Sequence, residues 1–199
     1  MKEKFGFIVL LLISITCFSQ NADKETYYYF QNEQITKAKF ESFDERKTYK
    51  RVVENDSSTT KHIYYHKNVG KLDSIQFNQI QMLLTKIIGS EFKQNKKTIL
   101  HVYRKDNNHI NADSKYKSYW NWIKNNSNEY QAFLIASKDS DIKVNEKRHI
   151  FVDQYDLLET LFFKNSEFNI NHLLIKPTSE IYIYSGIDDI LNVLEWSVD

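Results

Sequence analysis

The sequence predicts an α/β protein in which helices flank a central mixed sheet, with a small α+β extension on its amino side. Two observations carry this. Apolar stripes at helical spacing alternate with short apolar runs of strand length from residue 73 onward. One proline and four glycines in 199 residues leave no flexible linker on which a second independent unit would hang. No low-complexity run or long-period repeat interrupts that pattern.

The first segment reads as an export signal. Lys2 and Lys4 precede an almost unbroken apolar run from Phe5 to Ile15, too short for a hydrocarbon core that needs about 20 residues. Cys17 and Ser19 supply small side chains at alternate positions, so cleavage is expected after Ser19, give or take about two residues. Residues 1–19 are then the signal peptide, and the protein is exported, periplasmic or secreted. A lipoprotein would instead keep Cys17 as its acylated first residue, but Ser14-Ile15-Thr16 lacks the usual leucine-like residue and small residue before it. Without the signal, the 27 basic and 26 acidic residues lose Lys2, Lys4 and Glu3, which leaves 25 of each. A neutral chain with no basic block has little to attract nucleic acid. No further segment suits a membrane span. The only cysteine leaves with the signal, so neither disulfide staples nor thiol chemistry are expected of the mature chain.

Residues 20–72 form the α+β extension. Glu25–Phe30 is aromatic-rich and strand-like, Thr36–Arg46 helical, and Tyr49–Val53 and His62–His66 are strands joined by a polar turn at 55–60. Residues 73–199 form the larger unit. Ile80, Leu83, Leu84, Ile87 and Ile88 make one helical stripe, with Asp73 and Gln76 spaced for a capping box and Gly89 placed to end it. Thr98–Tyr103 is a buried-type strand and Lys105–Asp113 a polar loop. Tyr116, Tyr119, Trp120 and Ile123 mark a helix; Tyr130–Ala136 and His149–Val152 are further strands. Asp153 can cap a helix with Leu157, Leu158, Leu161 and Phe162 on one face. His172–Ile175, the turn 176–180 and Ile181–Tyr184 make a hairpin. Gly186 breaks it, and Ile187, Ile190, Leu191 and Leu194 line a closing helix.

That order, helix, β-α-β, connection, β-hairpin, glycine and final helix, resembles the thioredoxin-like superfamily over about residues 74–199. The resemblance implies the three-layer fold of that superfamily. It also implies where working residues would stand, and here the chain departs from the pattern. The segment after the first central strand, Arg104 to Asp113, holds no Cys-x-x-Cys, and Asn171 stands closest to the position of the family's cis-proline. The implied protein is a redox-inactive member.

Other chemistries find little support. His62 and His66 would lie about 13 Å apart on a strand, too far to share a metal ion. There is no Gly-x-Ser-x-Gly, no phosphate-cradling glycine loop, and no cysteine pair for copper or peroxide. His101, inside an apolar strand, reads as a satisfied core histidine. What remains is the polar loop at the carboxyl end of the first central strand, where open α/β sheets leave a crevice. Asp106, Asn107, Asn108 and His109 would line it, and Asn171 and His172 would border it in the family geometry. No cofactor or metal is implied. The expected function is a non-catalytic module that binds a protein or another component of the cell envelope; the alternative is an enzyme of non-thiol chemistry in that crevice.

Overall fold

The structure, a computed structural model, describes residues 24–30, 33–44, 47–105, 109–164, 166 and 168–197. The proposed signal peptide and Cys17 lie outside the described residues. The molecule is a mixed α/β protein with two mixed sheets and few helices.

The smaller sheet has four strands in the order β2-β1-β4-β3, from β1 (Glu25–Phe30), β2 (Glu33–Ile35), β3 (Thr48–Glu54) and β4 (Ser58–Tyr65). β1 and β4 run parallel; the other pairs are antiparallel. The polar turn is shorter than the sequence suggests, because Thr59 and Thr60 already pair with β3 and Ser58 with β1. The first helix is also shorter: α1 (Lys37–Glu41) is one turn, capped by the Thr36 side chain, with Phe40 buried against Tyr28. Beyond Glu41, Ser42 closes the turn by binding the Lys39 carbonyl through both its amide and its hydroxyl.

The larger sheet has the order β5-β10-β9-β6-β7-β8. Its strands are β5 (Lys67–Lys71), β6 (Lys97–Tyr103), β7 (Tyr130–Ser137), β8 (Ile150–Asp153), β9 (Ile170–Ile175) and β10 (Glu180–Ser185). β6, β7 and β8 are parallel; β9 is antiparallel to β6, β10 to β9, and β5 to β10. β7 and β9 are buried along their whole lengths, as strands covered on both faces must be.

Helices cover both faces. On one, α2 (Ser74–Ile88) sends Ile80, Leu84 and Ile88 into a core with Leu100, Ile135 and Leu173. Its start is the capping box the spacing predicts: Gln76 N–H donates to the Asp73 carboxylate, and Asp73 N–H to the Gln76 side chain. Gly89 ends it at φ +74°. On the other face, α4 (Lys117–Asn125) and α5 (Ile190–Ser197) pack Tyr119, Ile123, Ile190, Val193 and Leu194 onto Ile99 and Leu134. A single turn, α3 (Ile110–Asp113), precedes α4.

Two expected faces are rotated. The segment after β8 is capped as anticipated, with Asp153 accepting the Leu158 N–H at 2.8 Å. It then winds as a π-helix over Glu159–Phe163, so residues five apart share a face. Leu158 and Phe163 are buried while Leu161 is 59% exposed. In α5 the buried set is Ile190, Val193 and Leu194, with Ile187 just before it, and Leu191 is only half-buried.

Candidate functional site

The six residues expected to share a crevice have different fates. Asp106, Asn107 and Asn108 lie outside the described residues. His109 is exposed on the turn before α3. Asn171 and His172 are interior, 1% and 0% exposed, and as neighbours on a strand they point to opposite faces of the sheet. The Asn171 amide staples the turn before β9, accepting from Ser166 Oγ and donating to the Phe168 carbonyl at 3.2 Å. Burial of both faces of β9, not access to a crevice, accounts for these two polar residues.

His172 belongs to a buried chain of polar groups. Its Nε2 lies 2.8 Å from the Ile187 carbonyl, its Nδ1 2.7 Å from His101 Nδ1, and His101 Nε2 lies 2.6 Å from the Tyr119 hydroxyl. The donors follow from the far end. A carbonyl only accepts, so His172 Nε2 carries the proton and its Nδ1 accepts from His101 Nδ1–H. His101 Nε2 is then the acceptor of the Tyr119 O–H. Burial pushes His172 down to about 4 and His101 well below the usual imidazole range, the second helped by its neighbour. Burial holds the Tyr119 hydroxyl well above its ordinary value. Every member is neutral and partnered, and His101 is the satisfied core histidine its setting suggests. Nearby, Tyr103 donates to Asp113 Oδ2 at 2.7 Å, and burial raises the Asp113 carboxyl despite that bond. These shifted groups tie β6, β9, α4 and the residue-187 turn together from inside.

Open space at the carboxyl ends of β6 and β7 does exist, as a cleft of about 570 Å³. Its walls are Arg104, Lys105, Asp139, Asp156, Glu159 and Lys164, charges of both signs. Arg104 Nε stands 3.2 Å from Glu159 Oε1, an ion-pair distance without hydrogen-bond angles, and its Nη2 donates to the Phe163 carbonyl at 3.3 Å. Asp156 takes φ +48°, held there while its carboxylate accepts the Lys138 N–H and lies 3.3 Å from Lys138 Nζ.

A second opening lies between the two sheets. Tyr29, His62, Tyr64, Tyr49 and His66 stand in a row, successive rings 5.1–6.0 Å apart and within 13–29° of parallel. Alternation along β1, β3 and β4 puts all five on one face of the small sheet. From the large sheet's side, Phe168 meets Tyr49 edge-on at 5.2 Å and Tyr184 meets His66 at 5.5 Å. Gly186 permits this approach: at φ +69°, a Cβ there would stand 3.2 Å from Tyr49 and 3.3 Å from Phe168. Burial lowers His66 to about 4, so this imidazole is neutral. Where the row ends, a groove of about 430 Å³ opens, lined by Tyr49, Arg51, Tyr64, Tyr65, Phe162 and Lys164 among others.

No known family, curated protein or solved structure matches this chain. Its site is therefore read from its own residues. Among the described residues, no three His, Cys, Asp or Glu side chains gather as metal ligands, and no helix is long and apolar enough to cross a membrane. The aromatic row went unread in the sequence, although its signal is visible: Tyr27 and Tyr29 alternate, as do His62, Tyr64 and His66. Only the pairing of β1 with β4 and β3 turns separate alternations into one surface.

Proposed function

We propose that this protein is an exported, thiol-free binding module on a thioredoxin-like scaffold, and that a protein component of the cell envelope docks in the aromatic groove between its sheets. The scaffold reading is supported by the strand order β10-β9-β6-β7, with β6 and β7 parallel and joined through α4, and by the β9–β10 hairpin leading into α5. The groove carries the functional reading. Tryptophan, tyrosine and arginine most often dominate protein interfaces: the aromatics combine large area, a polar tip and few rotamers, and the planar guanidinium of arginine both hydrogen-bonds and stacks on aromatic faces. Tyr65 is 53% exposed and Leu161 59%, both at this opening, a concentration of exposed apolar area that a partner would cover. Catalysis is the weaker reading because His101, His172, Tyr103 and Tyr119, all shifted by burial, are sealed from any substrate.

The test is capture from native envelope extract with wild-type protein, Tyr65→Asp, Arg51→Glu and the distant exposed control Asn192→Ala. A protein retained by wild type and the control but lost with both groove variants supports the reading. Retention by all four, or by none, overturns it. The strained Asp156 beside the charged cleft favours a second reading, an enzyme working there. Turnover of any substrate that Glu159→Gln abolishes would decide for it.

A further inference from the structure

We propose that a third cavity, at the amino ends of β6 and β7, binds a small organic anion with a flat apolar body. This site lies away from the groove and does not depend on the function assigned to it. Its volume is about 490 Å³, within the range of small-molecule pockets.

The walls combine two chemistries. Trp120 of α4 and His149, just before β8, stack with centroids 4.5 Å apart and 17° between their planes, a flat aromatic slab. Ile123 and Tyr130 extend the apolar lining. Lys93, Lys96 and Lys124 line the same cavity against a single carboxylate, Glu91. A flat ring is recognised by the slab and an anionic substituent by the lysines.

The lining is also fixed in advance. The Trp120 indole N–H donates to the Asp113 carbonyl at 2.8 Å, which sets the ring's orientation. Gln131, 8% exposed, clasps the Lys93 backbone at both ends: it accepts the Lys93 N–H at 3.0 Å and donates to the Lys93 carbonyl at 2.6 Å. A third bond, from Gln131 Nε2 to Thr98 Oγ1, anchors the amide to β6. This buried glutamine holds the segment carrying Lys93 and Lys96 beside the cavity. His149 adopts φ +55°, a left-handed conformation costly for a side chain of this size unless its surroundings impose it. Burial keeps its imidazole below the usual range, so at neutral pH it offers a ring face and not a charge. Lys93 Nζ and Lys96 Nζ each donate once, to the Ser90 carbonyl at 2.7 Å and the Ser127 carbonyl at 2.5 Å, which holds both ammonium groups at the rim of the cavity with further N–H donors left for an anion.

The measurement is calorimetric titration of the whole protein with 2-naphthoate and with its neutral isostere 2-naphthamide, at low salt. Saturable one-site binding of 2-naphthoate is expected, at least about tenfold tighter than the amide, since charge-assisted hydrogen bonds are lost in the second case. The triple variant Lys93→Gln, Lys96→Gln, Lys124→Gln changes only side chains that tolerate solvent. It should keep the parent melting temperature while losing about tenfold in 2-naphthoate affinity. In a two-dimensional amide spectrum the Trp120 indole signal, assigned through Trp120→Phe, should shift on binding. No saturable 2-naphthoate binding by folded protein, equal affinity for the amide, or an unchanged affinity in the triple variant would each overturn the proposal.

Discussion

Two imidazoles whose Nδ1 atoms lie 2.7 Å apart inside a sheet cannot both be protonated at Nδ1, because each would then point N–H at the other. His101 and His172 are in that position, and the outer ends of their chain are already committed to Tyr119 and the Ile187 carbonyl. The consequence is a pH dependence with a defined sign. An unfolded imidazole titrates near 6.5, while His172 and His66 titrate at about 4 in the fold. As pH falls below 6.5 the unfolded chain takes up protons that the native state refuses, so stability declines until about 4 and then levels off. For His172 alone the full loss is about 3 kcal/mol, from a displacement of 2.5 pH units in the native state. The melting temperature should therefore fall by at least about 5 °C from pH 7 to pH 5, above the range where most carboxylates titrate. A melting temperature constant over that interval would show that the histidines are not held neutral.

Elements whose evidence is local were legible in advance; those that depend on distant partners were not. The ends of α2 follow from Asp73, Gln76 and Gly89, all within the helix's own reach. So do β6, β7, β9 and β10, where apolar runs of strand length are bounded by polar turns. The three residues of β2 and the β5 strand carry no such signal, since β5 exists by pairing with β10. The π-helical winding at 159–163 was invisible because helical spacing assumes 3.6 residues per turn. For α5 the stripe was right in direction and wrong by one residue, Val193 replacing Leu191: Asp189 caps the start by accepting the Leu191 N–H at 2.9 Å, but a cap fixes where a helix begins and not which face it buries. The site divides likewise: a cleft does lie after β6, but the family geometry that would bring Asn171 and His172 to its border fixes position along the strand and not whether either side chain is left open to the cleft. The α5 correction has a measurable form. Leu194→Ala should cost about 2–5 kcal/mol, because it leaves a cavity beneath a residue 3% exposed. Leu191→Ala, half-buried at the edge of the same core, should cost clearly less. Denaturant titration of both variants checks the order, and equal midpoints would mean that the helix is seated on the other stripe.

At the scale of the whole molecule, stability comes from two cores on either face of the large sheet and from the aromatic row between the sheets. A single cysteine excludes any internal disulfide whatever happens to the amino terminus. That terminus is itself testable. Protein recovered from an exporting host should have an intact mass corresponding to a chain beginning near Gln20. A mass that retains Met1, or one that carries lipid on Cys17, would replace the cleaved-signal reading with retention or anchoring.

The placement of β5 sets a timetable for folding. Its pairs, Lys71 with Glu180 and Gly70 with Ile181, join residues about 110 positions apart in the chain. β10 leaves the ribosome or a translocation pore about 110 residues after β5, so β5 has no neighbour until that length of chain has passed. Until then an early segment rich in tyrosine and phenylalanine waits with an unpaired strand, a state prone to mispairing with other chains. The closing hairpin thus does more than complete its own sheet: its arrival is the event that ends the vulnerable interval of the amino-terminal third.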